Sequence, residues 1–349
     1  MSGIGTTMYT DAIAHSSVAD SLYVAVKSAN GMDVVSMSSG TKTANSGGGN
    51  LKNPVAVAVT PDGSTAYLAN SGANTITPVS TSTDVAGAAV TVGTKPPTGL
   101  AITPDGSTVW AADGAANVVT PVAVATNTAG SQINIGFNAN AIAITPDGST
   151  AWIAGQTNVI SLNLATLTLG TKLTQAGASF QSITITPDGA TAYVVDSGNK
   201  KVWPLTLATN TFGTGISVSA FTPQSIVMSP DGLTAWVAGQ TGVAPVTLST
   251  GTLGTVTTVS GANFQGVAMS PNGCWVYAAD ASPSNRIVPI YTGTGAAGTS
   301  IAVDNSPQGI AAAYPPITYY YEVQATRNLW TSPASGQTSV SFGQAAHSH

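Results

Sequence analysis

The sequence predicts an all-β protein in which one four-stranded unit is copied around a ring. Three observations carry this. A phrase of the form Thr/Ser-Pro-Asp/Asn-Gly, followed by a short strand with an aromatic at one fixed place, starts at Thr60, Thr103, Thr145, Thr186, Ser229 and Ser270. The starts lie 43, 42, 41, 43 and 41 residues apart, and a period of about 40–45 residues is the length of one propeller blade. The two ends of the chain carry complementary parts of a seventh copy. The expected architecture is a seven-bladed β-propeller over residues 19–315, with an N-terminal arm at 1–18 and a hairpin-like C-terminal arm at 316–349.

Each unit reads as a succession of strands. An apolar run precedes the turn phrase: residues 55–59, 99–102, 141–144, 182–185, 225–228 and 266–269. Small and large side chains alternate in it with period two, and both faces are apolar, as an inner strand between neighbouring blades requires. The turn follows from its residues. Pro presets φ, Asp bonds its own backbone and Gly takes a positive φ. The second strand carries Tyr67, Trp110, Trp152, Tyr193, Trp236 and Tyr277 at equivalent positions, and these aromatics are expected between blades. Third strands run through NTITPVS, NVVTPVAV, NVISLNL, KVWPLTL, GVAPVTL and RIVPIYT. A Thr/Gly-rich stretch after each leaves the fourth strand only weakly marked.

The seventh unit is divided. LYVAV at 22–26 matches a second strand, with Tyr23 in the aromatic slot, and DVVSMSS from Asp33 matches a third. No first strand precedes them. PQGIAAAYP at 307–315 matches a first strand that never reaches its Asp-Gly turn. Pairing the two parts would close the ring and remove two sheet edges.

The repeated phrase resembles the YVTN-type propeller repeat, a relative of the NHL repeat, over about residues 19–315. That resemblance implies a fold rather than an activity, since propellers host many functions. Residues 317–342 resemble the last two strands of a fibronectin type III or similar Ig-like sandwich. There an alternating run beginning at Tyr319, Tyr320 and Tyr321 leads past Trp330 to TSVSF. A lone hairpin is marginal in water, so this arm is expected to pack on the propeller or on another subunit, with Tyr319, Tyr320, Tyr321 and Trp330 as assembly contacts.

Composition narrows the function. Of 349 residues, 43% are hydrophobic and only 7% are charged, against a usual charged share of about 25%. Ser, Thr, Asn, Gly and Ala must cover the surface, a palette that suits extracellular and virion β-proteins. The net charge is −5 and the nine Lys and Arg form no stripe, so nucleic acid is not an expected partner. No apolar run reaches the ~20 residues of a membrane helix, and residues 1–20 lack the pattern of a signal peptide. Cys274, the one cysteine, reads as a small core residue.

Chemistry is sparse. His15, His347 and His349 are the only histidines and Glu322 the only glutamate, so the ring lacks the commonest general base and metal ligand. No cofactor or metal is expected. Asp113, Asp196 and Asp280, with Asn70 in the same slot, end second strands and read as starters of Asx turns. Lys200, Lys201 and Arg286 read as solvated loop charges. Polar residues open the inner strands: after Val55 and Thr98 come Asn140, Gln181, Gln224, Gln265 and Gln308. They form a candidate rim at one channel mouth, suited to hydrogen-bonding a glycan or peptide. The expectation is a non-enzymatic binding or structural propeller on a virion, such as a phage tail or capsid surface, or outside a cell. It would work within a homo-oligomer or multi-protein assembly. A lactonase-like enzyme and an S-layer-like adhesion protein are the alternatives.

Overall fold

The computed structural model describes residues 21–313 apart from Ser282, together with four two-residue strands in the C-terminal arm. Seven antiparallel sheets form a ring. We number the blades by their inner strands: Pro307–Ala313 in blade 1, then Pro54–Val59, Pro97–Ile102, Ala141–Ile144, Phe180–Ile185, Pro223–Met228 and Phe264–Met269 in blades 2 to 7. Each inner strand touches the next, and the seventh touches the first. The ring is closed as the divided repeat requires. Ser21–Val26 pairs antiparallel with Pro307–Ala313, with Leu22 opposite Ala312 and Val24 opposite Ile310. Gly31–Ser36 and Thr41–Gly47 complete blade 1.

The core lies between blades. Tyr23, Tyr67, Trp110, Trp152, Tyr193, Trp236 and Tyr277 are all buried. Each packs into a cluster that includes residues of the following blade: Trp152 lies with Phe180 and Ile183 of blade 5, and Tyr277 with Leu22 and Val24 of blade 1. Small residues after the start of each inner strand have a steric cause. A Cβ on Gly99 would come 2.9 Å from the Asn140 carbonyl oxygen, and one on Gly309 would come 2.7 Å from Ala56 Cα. Backbone of the next inner strand occupies that space.

The Thr/Ser-Pro-Asp-Gly phrase forms a tight hairpin loop. In blade 2 the Gly63 N–H donates to the Thr60 carbonyl at 2.8 Å and Gly63 has φ 72°. The buried Thr60 hydroxyl donates to Asp62 Oδ1 at 2.5 Å and accepts from the Thr65 N–H at 3.1 Å. Blades 3, 4, 5 and 6 repeat these bonds with Asp105, Asp147, Asp188 and Asp231, and blade 7 uses Asn272.

In five blades the weak fourth strand faces a proline in the third. Pro78, Pro121, Pro204, Pro245 and Pro289 sit mid-strand and have no N–H to offer the neighbour. Their carbonyls instead accept from Gly87, Gly130, Gly213, Gly254 and Gly298. In these blades the outer strand is broken into two-residue pieces, as in Thr128–Ala129 and Ile133–Asn134; blade 4, with Ser161 in the slot and Gly170 donating to its carbonyl, has only Leu173–Thr174 as well. The outer strand of blade 1, Thr41–Gly47, runs seven residues.

Two expectations fail. Cys274 is not a core residue: it is half-buried just beyond the Asn272–Gly273 turn, in the slot held by Ser64 and Ser107 in other blades, and its N–H donates to Asn272 Oδ1. Arg286 and Lys201 are not free loop charges. Arg286 Nε lies 2.9 Å from the buried Asp280 carboxylate, and Lys201 Nζ lies 4.9 Å from the centre of the Trp203 ring.

The N-terminal arm, Tyr319 and most of residues 314–349 lie outside the described residues. In the C-terminal arm Tyr320–Tyr321 pairs antiparallel with Thr338–Ser339, and Thr326–Arg327 with Trp330–Thr331. The first of these joins the two segments that the sequence sets up as a hairpin.

Candidate functional site

The polar residues that open the inner strands do more than end a strand. In blades 2, 3, 5, 6 and 7 the pairing with the second strand slips at this residue. Pro54 faces Asn70 and Ala56 faces Ala69, leaving Val55 as the extra residue of a β-bulge. Thr98, Gln181, Gln224 and Gln265 are extra in the same way. Blade 1 slips between Ile310 and Pro307, where Gln308 stands. A bulge re-aims its side chain out of the strand's alternation. Here the bulged residues ring the end of the channel opposite the Pro-Asp-Gly turns.

The channel holds a cavity of about 250 Å³, just below the usual range for small-ligand pockets of roughly 300–1,000 Å³. Thr98, Asn140, Gln181 and Gln224 line it. Gln265 and Gln308 do not, although the adjacent Gly266 and Gly309 stand in its wall. Deeper in, the lining is aliphatic, with Leu100, Ile142, Ile183 and Ile310.

Hydrogen bonds divide the rim by role. Thr98 Oγ1 donates to the Ala139 carbonyl at 2.8 Å and Asn140 Nδ2 to the Phe180 carbonyl at 2.7 Å, so each ties its blade to the next. Gln181, Gln265 and Gln308 donate Nε2 to the residue two positions earlier, at Ser179, Asn263 and Ser306. This fixes each carboxamide and leaves its oxygen as an acceptor. Gln224 makes no side-chain hydrogen bond with another described residue. The mouth therefore presents fixed acceptors and one uncommitted carboxamide over an apolar shaft, with no charged side chain among the described residues that line it.

The residues ending the second strands accept bonds from backbone N–H groups. Asp113 Oδ1 accepts from the N–H groups of Ala115 and Ala116, and Asp196 Oδ1 from Gly198 and Asn199, as Asx turns do. Asp280 bonds backwards along the chain. Its Oδ1 accepts from the Asn263 N–H in the loop that leads into its own blade, as Asp196 also accepts from Ser179 and Asn70 from Lys52. Burial works to raise the Asp196 pKa, but bonds from the Ser179 N–H, Trp203 Nε1 and Asn199 outweigh it and hold it below the usual carboxylate range.

One polar cluster had no signal in the repeat. Asp33, fully buried, accepts from the Asp304 N–H at 2.6 Å and from Asn45 Nδ2 at 2.8 Å. Lys42 Nζ lies 3.4 Å from Asp33 and 2.7 Å from Asp304, and Asn45 also donates to Asp304. The group braces the seam where the chain passes from blade 7 into the closing strand. Its partners are some 260 residues apart in sequence, so no local pattern marks them.

No protein-family model matches the chain, and no curated protein does. Solved structures do, and they are propeller-like. A functionally unknown protein from Desulfotomaculum acetoxidans DSM 771 is similar with a TM-score of 0.72 and 21% identity, covering 85% of this chain and 99% of its own. Kuenenia stuttgartiensis hydrazine synthase is similar with a TM-score of 0.68 and 18% identity, over 76% of this chain and 91% of its own. The β-propeller domain of Myceliophteria thermophila Cps50 (Swd1) gives a TM-score of 0.65 at 11% identity, over 76% and 90%. At these identities the likeness is one of fold: the protein is a seven-bladed β-propeller.

Proposed function

We propose that the protein is a non-enzymatic recognition propeller displayed on a virion or outside a cell. Its channel mouth binds a neutral polar ligand, a glycan or an extended peptide, and its terminal arms mount it in a homo-oligomer or larger assembly. The observation that carries this reading is the ring of bulged, uncharged residues at one mouth. Bulges lift Thr98, Gln181, Gln224 and Gln265 out of the strand alternation, and Asn140 and Gln308 hold the corresponding sequence positions in blades 4 and 1. Carboxamide oxygens held by their own amide bonds suit hydroxyl and peptide N–H donors, and the aliphatic shaft below suits the apolar face of a sugar ring. The charge-poor surface supports display outside the cytoplasm, and the repeat phrase supports kinship with YVTN-type propellers.

The test is a microarray of neutral oligosaccharides and unmodified peptides probed with the purified full chain. Saturable binding to one structural class supports the reading. Catalytic turnover of a lactone panel by the same protein, with no array binding, contradicts it.

A further inference from the structure

A second concavity lies far from the channel, between the outer edges of blades 1 and 2. It has a volume of about 210 Å³. Its lining includes Asn45, Ser46 and Gly47 from the long outer strand of blade 1, then Asn50, and Asp84 and Val85 from the outer turn of blade 2. Two polar atoms in this lining are buried with no hydrogen-bond partner, Ser46 Oγ and Asp84 Oδ1. Ser46 as a whole is only 2% exposed. A buried polar atom without a partner costs about 1–3 kcal/mol, and two in one crevice call for a ligand that supplies donors.

The fold explains the placement of Asp84 and leaves its charge unexplained. Its φ is 56°, and the equivalent turns in blades 3, 5 and 6 use Asn127, Asn210 and Gly251 at positive φ. An amide or a glycine therefore meets the backbone need. The carboxylate adds an acceptor whose pKa is raised by burial, which marks it as uncompensated. Asn45 commits its amide nitrogen to Asp33 and Asp304 and so offers only its oxygen. Beside these acceptors Val85 is 64% exposed, an apolar surface fit for an aliphatic stem.

We propose that this crevice is a second binding site, independent of the channel, which takes an ammonium or guanidinium group on an aliphatic stem, as a Lys or Arg side chain of a partner protein presents it. Both oxygens are closed to solvent as they stand, so Ser46 and Asp84 turn outward as the cation enters; it then donates to Asp84 Oδ1 and Ser46 Oγ while its stem lies on Val85.

The probes are N-acetyl-lysine methylamide, N-acetyl-arginine methylamide and n-butylammonium, titrated into the full chain by calorimetry, with N-acetyl-norleucine methylamide as the neutral control. Saturable binding of the cationic probes alone is expected. Asp84→Asn, which tolerates the same positive φ, should weaken it at least about tenfold with the melting temperature kept, and Ser46→Ala should weaken it less. Tighter binding of the blocked lysine than of n-butylammonium supports a protein side chain as the source, and equal affinity overturns that part. Binding of the norleucine control as well as the cations, an unaffected Asp84→Asn variant, or saturable calcium binding with no amine binding would overturn the site.

Discussion

Gly106 in the turn of blade 3 lies against Pro61 in the turn of blade 2. A Cβ built on Gly106 would sit 3.3 Å from Pro61 Cδ. The relation repeats between Gly148 and Pro104, Gly189 and Pro146, Gly232 and Pro187, and Gly273 and Pro230. The turn phrase thus has two tasks, shaping its own hairpin and fitting the previous blade. Gly106→Ala should cost about 1–2 kcal/mol for the left-handed conformation alone, with a further loss from the contact. Gly40 has φ +63° and nothing within 4 Å of its Cβ position, so Gly40→Ala should cost only the first part. Denaturant unfolding of both variants checks this, and equal losses would remove the inter-blade role.

Ring closure depends on one strand. Deleting residues 308–315 strips the partner from Ser21–Val26 and exposes the edge of that strand. Loss of cooperative thermal unfolding is the expected outcome; an unchanged melting curve would count against closure.

Trp152 is 3% exposed and packs with Phe180 and Ile183 across the blade interface. Trp152→Ala should destabilise the protein by about 3–5 kcal/mol. A loss below ~1 kcal/mol would place the ring of aromatics outside the core.

Acid should weaken the ring. Bonds from the Thr60, Thr103, Thr145, Thr186 and Ser229 hydroxyls, then from backbone N–H groups, hold Asp62, Asp105, Asp147, Asp188 and Asp231 below an ordinary aspartate pKa. Stability from a lowered pKa is complete above the unfolded value and is lost as pH falls through the folded one. Asp33 has the opposite sign, since burial raises it; its contribution is largest below its unfolded pKa and fades as pH rises. Six aspartates held low, the five in turns and Asp196, against two raised by burial, Asp33 and Asp84, should make the melting temperature fall as pH drops below about 4. Changing the five turn aspartates to Asn, the residue blade 7 already uses at Asn272, should flatten that slope. An equally steep slope in the variant would assign acid sensitivity elsewhere.

Much of this architecture is legible in the sequence because each blade repeats it locally. The period, the aromatic slot and the divided seventh unit all depend on residues close together in the chain, and the closing strand was recognisable as a first strand lacking its turn. The rim residues were visible as a column of Gln, but their bulges were not. The inner strands are apolar on both faces, so a one-residue slip breaks no alternation. Arg286 eludes a local reading for a related reason: it stands six residues from Asp280 in sequence, and the two meet only because their strands pair. The braces at Asp33 and the crevice at Ser46 and Asp84 join different blades, and no repeat signals them.

The most direct measurement of the recognition role uses rim variants. Gln181→Ala/Gln224→Ala removes two carboxamides that line the cavity without touching the inter-blade bonds of Thr98 and Asn140. The wild type should bind one class of neutral oligosaccharide or peptide on the array, and the double variant should lose about tenfold or more in affinity while melting as the wild type does. Undiminished binding by the double variant would contradict a ligand site at the channel mouth.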